Sequence, residues 1–243
     1  MLEASNYYKK QEKALFSDLE WNIPEQKQGE VVVLGGNVQN FSIVSRTVGV
    51  IATSFPVNQV TAVLPDALRG KIPSGTTGVK FLPSTDGGSF RKSAELRDAL
   101  SGVDFSLIIG DLTRNAETAT GVAEAVATTE KPVMITRDAV DLLASEMANF
   151  AQKDLIIFGS MIQMQKMLRA MYYPKMLLLS MPILPAVEVL HKFTLSYPWT
   201  IVTLHQGIVL VAYNGEVVGT PLGMTGRRRS LSGTGKLRQG YSE

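Results

Sequence analysis

Short continuous apolar runs alternate along this chain with longer stretches whose apolar residues recur at helical spacing. The short runs predict strands over Val31–Leu34, Gln59–Val63, Val79–Phe81, Phe105–Ile109, Val133–Ile135, Leu155–Phe158, Thr200–Leu204 and Ile208–Ala212. Several lack polar alternation, as expected of parallel strands covered on both faces. The longer stretches predict helices over Ser5–Leu19, Phe41–Thr53, Lys92–Leu100, Ala116–Thr128, Ile162–Met171 and Ala186–Lys192. Pro185 suits the start of the last one, because its fixed φ is already helical. Strands alternating with helices specify a doubly wound α/β sandwich, with 31–34, 105–109, 133–135, 155–158 and 200–204 as inner strands. His205-Gln206-Gly207 reads as a hairpin turn, and Tyr213-Asn214-Gly215-Glu216 offers a second turn through Asn-Gly. The sheet is therefore expected to be mostly parallel, with antiparallel strands at its C-terminal end.

Composition narrows the picture. The chain has 243 residues, 45% of them hydrophobic, enough for one domain with a substantial core. That domain is expected over residues 1–222. Charged residues make up 19%, below the usual quarter or so, which points to a large interior and a buried subunit face, hence a homo-oligomer. The absence of cysteine excludes a disulfide scaffold, a thiolate metal site and a cysteine nucleophile. With only His191 and His205, a His-rich metal site is excluded as well, so no protein metal centre is expected. The first residues, MLEASNYYKKQEKALF, lack the apolar stretch of a signal peptide, and a cytoplasmic setting is expected. The most apolar region, Met176–Val187, is too short to span a bilayer and contains Pro182 and Pro185. It is expected to be a core element, with no membrane as partner.

The net charge of +2 is unevenly spread. Residues 223–243 carry five Arg or Lys against one Glu, a balance of +4, which leaves −2 for the rest. The body gives no reason to expect nucleic acid. The tail reads as a solvated, flexible terminus, although it could contact a polyanion. Its Gly233-Thr234-Gly235-Lys236 lacks the strand-to-helix setting of a phosphate loop. Met161, Met164, Met167 and Met171 recur at helical spacing and read as a core or oligomer-facing stripe.

The candidate chemistry sits where parallel strands end, the edge at which open α/β sheets bind ligands. Gly35 and Gly36 follow a strand and could let the backbone approach a ligand, or simply turn the chain. Asn37 and Asn40 could bond a ligand or serve that turn. Asp111 and Asp138 could together hold a magnesium nucleotide or take a proton. Asp138 is expected first to cap the following helix, a role Asp often performs, and Asp111 could equally form a turn. Gly110 precedes Asp111 on the same strand end. Arg114 could pair with phosphate or lie solvated, and His205 could contact phosphate or be structural.

Four segments resemble the ADP/ATP-dependent NAD(P)H-hydrate dehydratase family and, more broadly, ribokinase-like carbohydrate kinases, over roughly residues 22–220. Lys27-Gln28-Gly29-Glu30 with VVVLGGN resembles the family's Lys-Gly, strand and Gly-Gly-Ser turn. Gly110-Asp111-Leu112-Thr113-Arg114-Asn115 stands where the family has Gly-Pro-Gly-Leu-Gly-Arg-Asp. Pro132–Leu143 follows the Pro-strand-Asp-Ala-Asp-Ala-Leu pattern, with Thr136 and Asp138 at its two Asp positions. Val202–Gln206 resembles the strand ending in Leu-Lys-Gly. The resemblance implies a ribokinase-like three-layer sandwich, a nucleotide or similar small molecule as ligand, ADP or ATP with Mg as cofactor, and lyase or kinase chemistry. The binding residues it implies are Gly35, Gly36, Asn37, Gly110, Asp111, Arg114, Asp138 and His205. Phe158–Gln163 lacks the His and Glu of the family's Thr-Pro-His-x-Gly-Glu, His205 replaces its Lys, and Lys236 stands where Gly-Thr-Gly-Asp has its base. These departures predict weak or lost activity, or a non-catalytic binding or scaffold protein.

Overall fold

The computed structural model describes residues 4–11 and 26–222. Among these residues ten strands form one sheet: β1 (Tyr8–Lys10), β2 (Glu30–Gly35), β3 (Gln59–Pro65), β4 (Val79–Leu82), β5 (Phe105–Gly110), β6 (Val133–Thr136), β7 (Leu155–Phe158), β8 (Trp199–His205), β9 (Ile208–Tyr213) and β10 (Glu216–Pro221). Their order is β1-β10-β9-β8-β7-β6-β5-β2-β3-β4. The pairings β8–β9 and β9–β10 are antiparallel and the rest are parallel. The expected inner strands are adjacent in the middle of the sheet. Two Asn-Gly-like turns make the hairpins. Gln206-Gly207 and Asn214-Gly215 all have positive φ, the conformation that matches the twist of two-residue hairpins.

Among the described residues six α-helices accompany the sheet: α1 (Ser42–Ser54), α2 (Ala94–Ser101), α3 (Ala116–Thr128), α4 (Asp138–Leu143), α5 (Met161–Ala170) and α6 (Ile183–Ser196). Side chains near their starts fix where several begin. Ser93 accepts from the Leu96 amide at the head of α2, and Asn115 accepts from the Glu117 and Thr118 amides at α3. Ser160 and Gln163 form a reciprocal capping box at α5. Helix α6 begins earlier than Pro185 suggested. Pro182 occupies the cap and Pro185 lies in the first turn, where its missing N–H costs no bond.

Two cores lie on the two sides of the sheet. The larger packs α2–α6, through Leu96, Val122, Val140, Met164 and Leu190, against Val32, Ile108, Ile135, Ile157, Ile201 and Leu210. The methionine stripe belongs here, with Met161, Met164 and Met167 buried. The smaller packs Val44 of α1 and Leu68 of a 3-10 turn against Val33, Ala62, Leu64, Leu107 and Ile109.

Three expectations need correction. Residues 8–10 of the predicted helix Ser5–Leu19 are strand β1, paired in parallel with β10, while residues 12–19 lie outside the described residues. Tyr8 faces the larger core and Lys9 pairs with Glu216, an alternation that serves an edge strand. Met176–Val187 is only partly core. Leu177, Ala186 and Val187 are buried, but Leu178, Leu179 and Leu184 are exposed, because the segment crosses the surface before entering α6. Asp138 does not cap α4: Arg137 holds the cap position, and the Asp138 carboxylate turns to another strand end. The basic tail 223–243 lies outside the described residues.

Candidate ligand-binding crevice

The carboxyl ends of β2, β5 and β6 meet at a tightly knit corner. The Gly36 amide donates to the Gly110 carbonyl at 2.9 Å. A Cβ on Gly35 would stand 2.5 Å from that same oxygen, so the strand ends can approach this closely only with glycine there. Asn37 holds its own turn, its Oδ1 accepting from the Gln39 and Asn40 amides at 2.7 and 3.2 Å. Its Nδ2 donates to the Asp111 carbonyl. Asn40 in turn accepts from the amide and hydroxyl of Ser42, opening α1. The Asp111 amide donates to Asp138 Oδ1 at 2.9 Å.

This corner carries backbone strain. Gly110 has φ +107, Asp111 +54 and Arg137 +57. Positive φ is costly for the two non-glycine residues, and such strain persists only where surroundings impose it. Asp111 Oδ2 is buried and has no hydrogen-bond partner among the described residues. Burial pushes the Asp111 carboxyl above its ordinary range, the neighbouring Asp138 charge adds to this, and Arg137 opposes it. Among the described residues, no group of three His, Asp or Glu is placed to hold a metal. Asp111 and Asp138 are the carboxylates that could hold magnesium, which needs few protein ligands when phosphate and water supply the rest. The orphaned Asp111 oxygen is the donor that fits such a cation.

The other sequence candidates stand apart from this corner. Arg114 lines a cleft of about 380 Å³ between α3, α4 and α5, with Asn115, Asp141 and Lys166. Burial there pushes the Asp141 carboxyl up. Hydrogen bonds from Lys166 and Gln163, with the charges of Lys166 and Arg114, outweigh this and hold it below its usual range. His205 is 2% exposed. Its Nε2 lies 2.6 Å from the Met181 carbonyl, which Gln206 also contacts at 3.1 Å. His205 thus anchors the segment leading into α6. Sequence reasoning missed Arg137 and Gln163. Gln163 Nε2 donates to the Arg137 carbonyl at 2.6 Å and to Asp141 at 2.8 Å, fixing the strained peptide. Both line a second cavity of about 310 Å³ with Thr136, Phe158, Ser160 and Leu204. The signal that could have found Gln163 is the spacing Ser160-x-x-Gln163, that of a capping box at a helix start.

The fold is ribokinase-like. The chain is similar to a ribokinase-like superfamily protein from Enterococcus faecalis V583, with a TM-score of 0.62 at 14% identity over 90% of this chain and 72% of that one. It is also similar to the ADP/ATP-dependent NAD(P)H-hydrate dehydratase of Bacillus subtilis, crystallised with ATP and Mg, with a TM-score of 0.52 at 12% identity over 82% of this chain and 67% of that one. No protein-family model matches the sequence, and no curated protein is similar to it at a significant level. No helix among the described residues is long and apolar enough to cross a membrane.

Proposed function

We propose that this chain is a dehydratase-like relative on the ribokinase-like fold, with weak or lost catalysis and a crevice that binds a small polar ligand such as ADP or ATP with magnesium. The observation that carries this reading is the Gly110–Asp111–Asp138 corner, where a buried carboxylate oxygen lacks a partner beside a second carboxylate. A cation brought by a nucleotide would relieve that repulsion. The Bacillus neighbour crystallised with ATP and Mg supplies the ligand class. Magnesium would supply charge neutralisation between phosphate oxygens and the two carboxylates.

Weak or lost catalysis follows from the side chains. Phosphoryl transfer needs a group that takes a proton from, or positions, the nucleophile. His205 is committed to the Met181 carbonyl, and Phe158–Gln163 supplies a helix cap. The same proposal keeps residues 1–222 as one domain with a basic tail, in the cytoplasm. The test supplies hydrated NADH with ADP or ATP and Mg and follows return of the reduced nicotinamide absorbance. Turnover far below about 1 per second, an ordinary enzyme rate, is expected. Turnover at or above that rate overturns the loss of catalysis.

A further inference from the structure

Beside the strained corner, two large apolar side chains stand in the open. Thr136, Phe158 and Val202 are register partners on β6, β7 and β8, and Leu204 lies two residues beyond Val202. Residues two apart on a strand share a face, so Thr136, Phe158 and Leu204 meet at the carboxyl ends of three neighbouring strands. That is the edge at which open α/β sheets take their ligands. Thr136 is buried, but Phe158 is 47% and Leu204 48% exposed among the described residues. An apolar patch rimmed by polar residues is the ordinary mark of a ligand groove.

The two side chains line the cavity of about 310 Å³ together with Arg137, Gly159, Ser160 and Gln163. Its frame is fixed. The Gly159 amide donates to the Val202 carbonyl at 3.1 Å, tying the end of β7 to β8. Gln163 Oε1 accepts from the Ser160 amide at 2.9 Å, and Gln163 Nε2 donates to the Arg137 carbonyl and to Asp141. The polar groups of the frame are thus engaged with one another, and Phe158 and Leu204 remain as an apolar wall. Arg137 joins this cavity to the corner: it is exposed, it lines the cavity, and its charge acts on the Asp111 carboxyl.

An apolar wall with a cation on its rim suits a flat heteroaromatic ring. A phenyl ring stacks on such a ring, and a guanidinium lies favourably against its face. The volume is at the low end for a whole-ligand pocket, which suits one ring system rather than an entire nucleotide. A protein partner fits less well, because two half-exposed side chains fall far short of the roughly 800 Å² that each side of a stable interface buries.

We propose that this cavity seats the base of the nucleotide, a purine ring stacked on Phe158 and bounded by Leu204 and Arg137, with the phosphates directed to the Asp111–Asp138 corner. The proposal rests on the reading of that corner only for the direction of the phosphates. Adenosine has none, so it tests the seat of the ring by itself. Calorimetric titration of adenosine into the full chain is expected to show saturable binding, equal with and without Mg. Phe158→Ala should weaken it by roughly five- to a hundredfold, the usual loss when a stacking aromatic is removed. Phe158→Tyr keeps a stacking ring and should leave it nearly unchanged, as should Leu179→Ala at an exposed apolar residue elsewhere. Should Phe158→Ala fail to fold, saturation-transfer NMR on the wild-type chain decides, with the adenine protons expected to take up more saturation than the ribose protons. No adenosine binding, equal binding by Phe158→Ala, or saturation greatest on the ribose overturns the proposal. Mg-dependent ATP binding that ignores Phe158 keeps the corner and rejects this seat. Adenosine binding through Phe158 without Mg-dependent ATP binding keeps the seat and rejects the corner.

Discussion

Gly110→Ala should be among the most destabilising single-methyl additions in this protein. Gly110 has φ +107, a region closed to residues with a Cβ except at a cost of about 1–3 kcal/mol. The added methyl would also overlap Asp138 Oδ1 and compete with the oxygen that accepts from the Asp111 amide at 2.9 Å. Losing a hydrogen bond to a charged group costs about 1.5–3 kcal/mol. Together the two effects give about 2.5–6 kcal/mol, a large part of the ~5–15 kcal/mol that holds a typical domain folded. At roughly 2–4 °C per kcal/mol for a chain of this size, melting should fall by about 5–24 °C. Differential scanning calorimetry or a urea titration measures this, with Gly49→Ala as control. Gly49 lies within α1 and a Cβ there meets nothing within 4 Å, so Gly49→Ala should stabilise by roughly 0.5–1 kcal/mol. A Gly110→Ala protein within about 1 kcal/mol of wild type would refute the reasoning, because no larger effect than an ordinary substitution would remain.

His205→Ala should cost about 2–3 kcal/mol, since it empties a buried site and leaves the Met181 carbonyl with Gln206 alone. Limited proteolysis should then cut between residues 172 and 182 faster than in wild type, and unchanged cleavage would deny His205 its anchoring role. Asp111 titrates above its ordinary range when folded, chiefly through burial, so the native chain keeps a proton that the unfolded chain releases. The contribution of Asp111 to stability should therefore fall as pH rises from the usual Asp range through the raised value, opposite in sign to the contributions of Asp141 and Glu188, whose carboxyls are held below their ordinary range. Asp111→Asn, which also tolerates positive φ better, should melt higher than wild type at neutral pH and lose that slope, as thermal melts across the acidic range will show.

The strands were legible because most are continuous apolar runs, and their parallel pairing follows from the helices that connect them. Strand β1 was not, because Tyr8-Lys9-Lys10 has two charges and gains its meaning only from the edge of β10. Strand β10 contains Gly219 and Pro221, both poor strand formers, and is held by its hairpin with β9. Helix α4 spans only Asp138–Leu143, too short for a periodic signal. The glycine turn after β2 and the acidic strand end after β5 were visible in sequence. The bond from the Asp111 amide to Asp138 was not, because a helix-start Asp normally serves its own helix. The strained Arg137 peptide depends on Gln163, 26 residues away, and no local pattern encodes such a pairing.

Calorimetric titration of ATP and ADP, with and without Mg, into wild type and into Asp111→Ala/Asp138→Ala tests the central claim most directly. The account predicts Mg-dependent binding to wild type and at least about tenfold weaker binding, some 1.4 kcal/mol, to the double variant. Equal affinity in both proteins, or no binding to wild type, would contradict it.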